Sequence, residues 1–200
     1  MVRRSIWRIC CALLIGIALS TALCAQTPER IAAFRLPDVL EQPVDVAPAD
    51  EVRLTVVCFL GTECPLVRLY AKRLGRFAEE YADRGVRFFG VNSNRQDSLA
   101  DMRAYVETHA LPFPLLKDYQ NIVADQFQAK RTPEVFVLEN HAAEDRQFTV
   151  RYRGRIDDQY APGITQTTAT SHELRMAIDA LELVFIRPEI GTYILLTGDS

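Results

Sequence analysis

Cys64 is the residue in this chain best placed for chemistry. It stands in FLGTECPLV (residues 59–67), where an apolar, strand-like run over 52–60 ends and helical spacing begins at Pro65. A cysteine at a helix start faces unpaired backbone N–H groups and the positive end of the helix dipole. Both favour the thiolate, the nucleophilic form. Two reactions are open to a lone thiolate. It can attack a peroxide and become a sulfenic acid, which an external thiol must then reduce. It can also attack a disulfide and release its partner by exchange. The alternative is an inert thiol on a surface that only binds. Glu63 acts against the thiolate by its charge, whereas Pro65 suits the first helical position, which has no hydrogen bond to lose.

Other residues are candidates by placement. Thr132 and Pro133 open a second apolar run in RTPEVFVL (131–138), and Arg131 supplies a cation that would favour a neighbouring thiolate. The segment VNSNRQDS (91–98) leaves an expected strand at the sheet end that also carries Cys64, where α/β sites collect. Thr62, Glu63 and Pro65 adjoin Cys64 in the chain, Asn92, Asn94 and Arg95 are candidates to line a groove at the same sheet end, and Arg131, Thr132 and Pro133 are candidates at the start of a later strand. RYRGR (151–155) reads as a solvated strand edge, and Asp157-Asp158 as a solvated turn. His109, His141 and His172 are scattered, none at metal spacing from Cys64, and no C-x-x-C-H haem motif is present. Neither a metal nor another cofactor is expected.

The elements that must position these groups follow from periodicity. Residues 53–60 read as a strand, apolar on both faces from Val56 and so central. Residues 65–83 have helical spacing, with Leu66, Leu69, Tyr70, Leu74, Phe77, Ala78 and Tyr81 on the apolar face and Gly85 as cap. A strand over 86–91 and a helix over 97–109, with Ser98 near its start, come next. A short strand over 113–116 and a short helix over 121–128 follow. Strands over 134–138 and 149–152 form a hairpin, and a last helix over 171–184 is capped by Ser171. The order β-α-β-α-(β)-α-β-β-α implies a mixed sheet with helices on both faces.

Composition bounds the class. With 48% hydrophobic and 24% charged residues, the 200-residue chain is neither disordered nor fibrous and suits one domain. The first 25 residues have a leader's layout. Arg3, Arg4 and Arg8 precede an uncharged apolar run over 9–21, and small residues follow. That run is shorter than the roughly 20 residues a spanning helix needs. Export and cleavage are expected, with membrane attachment only if the segment stays uncleaved. Its loss removes three basic residues and no acidic ones, taking the formal charge from −3 to −6. An acidic domain is a poor nucleic-acid partner. The expected division is a leader over 1–25, a domain over 26–185 and a tail of unassigned role over 186–200.

Three of the five cysteines, Cys10, Cys11 and Cys24, fall in or beside the leader. Cys58 and Cys64 remain. Cys58 lies inside the expected strand, which rises about 3.3 Å per residue. Six residues of mostly extended chain exceed the ~7 Å reach of a disulfide, so Cys58 is expected as a buried thiol.

Taken together, FRLPD (34–38), GTECP (61–65), VNSNRQDS, FPLLKD (113–118), RTPEVFVL and RYRGRIDDQY (151–160) resemble the thioredoxin-like superfamily. The likeness is to its exported redoxin branch, the alkyl hydroperoxide reductase/thiol-specific antioxidant relatives, and spans about residues 33–184. The resemblance implies an α/β thioredoxin-like fold with a redoxin-type insertion near residues 95–128. It implies a cis Thr132–Pro133 bond beside Cys64, so that Arg131, Thr132 and Pro133 complete a substrate groove with Thr62, Glu63, Pro65, Asn92 and Asn94, and an antioxidant or thiol-disulfide oxidoreductase role. The partners implied are an external thiol, a protein thiol or disulfide, or a hydroperoxide. Where thioredoxins carry C-x-x-C, this chain reads Cys64-Pro65-Leu66-Val67. The peroxiredoxin pattern P-x-x-x-T-x-x-C meets Val57 and Gly61, with Thr62 one position off. What remains is one-cysteine chemistry in an extracytoplasmic, periplasmic setting, or a redox-inactive binding module using the Cys64/Pro133 groove.

Overall fold

Strand β4 (Leu54–Phe59) organises the molecule, because all six of its residues are buried. Its side chains alternate between two cores. Leu54, Val56 and Cys58 face one, and Val57 and Phe59 face the other. The computed structural model describes residues 29–141, 145–186 and 196–197. The expected leader and most of the expected tail lie outside them.

Around β4 the main sheet runs β1-β8-β7-β4-β5-β6. Its strands are β1 (Arg30–Ala32), β5 (Val86–Asn92), β6 (Leu115–Lys117), β7 (Glu134–Asn140) and β8 (Gln147–Gly154). β4, β5 and β6 are mutually parallel, whereas β7 is antiparallel to β4, and β8 to both β7 and β1. A seventh strand, β11 (Leu196–Thr197), pairs with β8 in parallel. Two short hairpins stand apart: β2 (Phe34–Pro37) with β3 (Pro43–Val46), and β9 (Tyr160–Ala161) with β10 (Ile164–Thr165). The first hairpin joins the FRLPD segment to the Pro/Ala/Asp-rich stretch after it, neither of which reads as a strand in the sequence. Asp38 bridges from it to Leu116 of β6.

Helices cover both faces, as the element order implies. α1 (Pro65–Tyr81), α2 (Leu99–His109) and α4 (Glu173–Ile186) bring Tyr70, Leu74, Met102, Tyr105, Leu174 and Ile178 to the first core. α3 (Ile122–Phe127) brings Val123 and Phe127 to the second, where Phe127 meets Phe34, Phe59 and Phe136 edge-on. α1 runs on through a 3-10 turn, Ala82–Arg84, and stops at Gly85, whose φ of 75° is cheap only for glycine. α2 opens on a reciprocal cap: Ser98 Oγ accepts from the Asp101 amide, and the Asp101 carboxylate accepts from the Ser98 amide.

Two local expectations need correction. The buried stripe of α1 is Val67, Tyr70, Ala71, Leu74, Phe77 and Tyr81. Leu66 is only half-buried and Leu69 is 50% exposed, because both fall on the flank of that stripe. α4 begins at Glu173, so Ser171 lies ahead of it; the Ser171 amide donates instead to Asp158 Oδ1 (3.0 Å).

Candidate active site

β4 delivers the chain to a tight turn, closed by the Cys64 amide donating to the Gly61 carbonyl (3.1 Å). Cys64 is the N-cap of α1, with extended backbone (φ −69°, ψ 118°) and Pro65 following. The first helical bond runs from the Arg68 amide to the Cys64 carbonyl (3.2 Å). The thiol is half-buried and donates to the Thr132 carbonyl (3.2 Å). The Thr132–Pro133 peptide bond is cis, and β7 starts at the next residue. Two motifs 68 residues apart thus meet at one end of the sheet.

A polar cluster lies behind the turn. Thr62 is buried and donates its amide to Asp97 Oδ2 (2.8 Å), while its carbonyl accepts from Arg68 Nε (3.0 Å). The Asn94 side chain also donates, through Nδ2, to Asp97 Oδ2 (3.3 Å), and Lys117 of β6 reaches into the same cluster. Asn94 sits against Gly61. Asn92, expected in the groove, is fully buried and supports the cluster from within the sheet end. β5 ends on it, so its side chain turns inward to the polar groups there.

Glu63 and Pro65 are exposed beside Cys64, and Thr132 and Pro133 are half-buried opposite it. Arg131 is exposed, its charge acts on Tyr152, and no hydrogen bond among the described residues joins it to Cys64. Arg68, one helical turn beyond Cys64, is the cation bound to the Cys64 turn. Its signal in the sequence was the i, i+4 spacing.

Among the described residues no second thiol is in position. Val67, three residues on, is packed in the core. Cys58 is free, 0% exposed, and burial pushes its thiol pKa well up, so it stays protonated and inert. The histidines are dispersed: His109 packs on Tyr105, His141 contacts Thr149 Oγ1, and His172 is exposed. Among the described residues no three His, Cys, Asp or Glu side chains are grouped to hold a metal.

RYRGRIDDQY is built differently from the expected solvated edge and turn. β8 lies inside the sheet, and Arg151, Arg153 and Arg155 pair with Glu139, Glu134 and Glu173. Asp157 is buried, accepting from Tyr70 Oη (2.5 Å), from the Gln159 amide (2.9 Å) and from Arg73. The segment is thereby strapped to α1, the helix that Cys64 caps.

The AhpC/TSA family matches residues 28–157. A hypothetical protein from Sinorhizobium meliloti is 30% identical, with a TM-score of 0.67 over 79% of this chain and 85% of its own. An uncharacterized conserved protein from Geobacillus kaustophilus is 29% identical, with a TM-score of 0.68 over 79% and 82%. The peroxidoxin BcpB of Mycobacterium tuberculosis shares the thioredoxin-like fold at 20% identity, with a TM-score of 0.56 over 80% and 97%. No curated protein matches the chain. With the sheet order, the Cys64 turn and the matched span in agreement, the chain belongs to the AhpC/TSA family of thiol-based oxidoreductases.

Proposed function

We propose that the chain is an exported thiol-disulfide oxidoreductase or peroxidase that works through Cys64 alone. The observation that carries this reading is the placement of one half-buried thiol at the N-cap of α1, against the Thr132 carbonyl, with no second thiol at hand among the described residues. The leader-like residues 1–25 support export, and among the described residues no helix is long and apolar enough to cross a membrane.

The chemistry then has two halves. With a disulfide RSSR, Cys64–S⁻ forms Cys64–S–SR and expels RS⁻; a second thiolate R′S⁻ then attacks, giving RSSR′ and restoring Cys64–S⁻. With a hydroperoxide ROOH, the sulfur takes one oxygen. Cys64–SOH forms, and ROH leaves after gaining a proton. Two equivalents of external thiol then return the cysteine, water and a disulfide. In both, the substrate meets Cys64 at the surface bordered by exposed Glu63 and Pro65 on one side and half-buried Thr132 and Pro133 on the other.

The test is turnover of peroxide and of a disulfide with added small thiol, by wild type and Cys64→Ser. Complete loss in the variant is expected. Equal turnover by the two proteins would leave the groove as a binding surface only.

A further inference from the structure

The polar cluster behind the Cys64 turn takes no part in exchange itself, yet it is costly to bury. Asp97 is 2% exposed and Lys117 is 3% exposed. Burying a carboxylate or an ammonium is costly unless its hydrogen bonds compensate. Among the described residues Asp97 is held through Oδ2 alone, its Oδ1 being buried without a partner, and Lys117 bonds the Asp97 carbonyl rather than its carboxylate. Lys117 Nζ donates to the Asn94 carbonyl (2.6 Å), the Asp97 carbonyl (2.7 Å) and Asn92 Oδ1 (3.2 Å). Burial draws its pKa down, and the charges of Asp97 and Asp118 hold it up.

Asp97 Oδ2 accepts from the Thr62 amide (2.8 Å), Asn92 Nδ2 (2.6 Å) and Asn94 Nδ2 (3.3 Å). These donors come from the turn that carries Cys64 and from the loop that leaves β5. Asn94 in turn fills the space beside Gly61. A Cβ built there would lie 2.2 Å from Asn94 Nδ2 and 3.4 Å from Thr132 Oγ1. One carboxylate therefore joins the cysteine turn to the β5 loop, and Lys117 ties that loop to β6. An apolar cluster of the same volume would stabilise the fold as well or better. What a buried carboxylate adds is a fixed direction for the amide it holds.

We propose that Asp97 is a positioning residue for Cys64: by holding the Thr62 amide it fixes the turn over 61–64, and so the thiol's place against Thr132, while Lys117 keeps Asp97 seated. This rests on Cys64 being the reactive group, as proposed above. Thr62 is two residues from the sulfur, so slack at its amide passes directly to the N-cap. Orientation of a reacting atom is worth large rate factors, and small misplacements are felt.

The experiment uses the chain from residue 26 and Asp97→Asn, which keeps the shape and removes the charge. Cys58 is an internal control, because a sealed thiol labels only when the molecule unfolds. In the variant, hydrogen exchange at the Thr62 amide is expected to rise about tenfold or more, while Val57 in β4 stays protected. The rate of Cys64 with oxidised glutathione is expected to fall about tenfold, the loss of roughly one charge-assisted hydrogen bond. Iodoacetamide labelling of Cys58 should not change. If Asp97→Asn does not fold, Asn94→Ala is read the same way, with about threefold effects for the weaker bond.

Thr62 exchange and Cys64 rates within about twofold of wild type would overturn the proposal, since such a change is too small for a lost charged acceptor. Cys58 labelling that rises in step with loss of Cys64 chemistry would also overturn it, leaving Asp97 a structural residue only. A wild-type Cys64 that does not react with oxidised glutathione or peroxide overturns the proposed function instead. In that case Thr62 exchange still decides whether Asp97 holds the turn.

Discussion

Cys58 and Cys64 have the same side chain and opposite surroundings. Cys58 is wholly enclosed in the first core, opposite Gly90 of β5. Replacing its sulfur by a hydroxyl buries a polar group in an apolar site, so Cys58→Ser should lower stability by about 1–3 kcal/mol in urea titrations. Cys64 chemistry should survive at temperatures where the variant is folded. A variant as stable as wild type would mean that the hydroxyl finds a partner there. Which residues gather around Cys64 was legible only where type and position both speak. Cys64 at a strand–helix junction and Thr132-Pro133 before a strand were of that kind. Asp97 and Lys117 were not, because VNSNRQDS reads as a polar turn and only the tertiary fold encloses it. The trace of Lys117 was a charge ending an apolar run in FPLLKD. Arg131 attracted attention by adjacency to Thr132, yet the chain direction there carries its side chain outward, whereas Arg68 returns to the turn by helical spacing.

At the scale of elements, the clearest reading was of strands and helices with strong periods, and the weakest was of polar segments that pack. RGRIDDQY carries four charges and reads as solvated, but Asp157 is 1% exposed and clamps β9 to α1 through Tyr70 and Arg73. Tyr160 adds an edge-on contact with Tyr70 (5.1 Å between centroids). Breaking this partly buried pair with Asp157→Ala should cost about 2–4 kcal/mol, less than a fully buried pair because Arg73 keeps some access to water. Loss within a few tenths of a kcal/mol would show that the segment is not strapped to the helix.

Asp158, the next residue, governs the entry to α4. The Ser171 amide first, and then Thr170, hold its carboxyl at about 2, below the ordinary 3.8. With the folded value depressed, this contribution is complete above the unfolded value and is lost as pH falls through about 2. An NMR titration should place Asp158 near 2, and Asp158→Asn should flatten the acid limb of the stability curve. A midpoint at 3.8 would mean that the two amides do not hold it.

The whole molecule decides what an oxidised Cys64 can meet. β4 puts Cys58 in the middle of the sheet and Cys64 beyond its end, so an internal disulfide would require the strand to leave β5 and β7. Element order and alternation make that separation legible in the sequence alone, because strand rise is a fixed length. Mild peroxide should therefore give a Cys64 sulfenic acid, and glutathione should convert it to a single adduct at Cys64, with Cys58 reduced in both cases. Without a small thiol, the remaining partner is the same thiol on another molecule. The chain from residue 26 then carries a formal charge of −6, so two copies repel at long range. Disulfide-linked dimers should form slowly, at a rate that scales with protein concentration. The rate should rise between about 0.01 M and 0.15 M salt, as the Debye length falls from about 30 Å to about 8 Å. Non-reducing electrophoresis should show the dimer in wild type and Cys58→Ser, none in Cys64→Ser, and less when glutathione competes. A Cys58–Cys64 bridge in the monomer would contradict the strand placement, and dimers that form regardless of Cys64 would contradict the one-thiol reading.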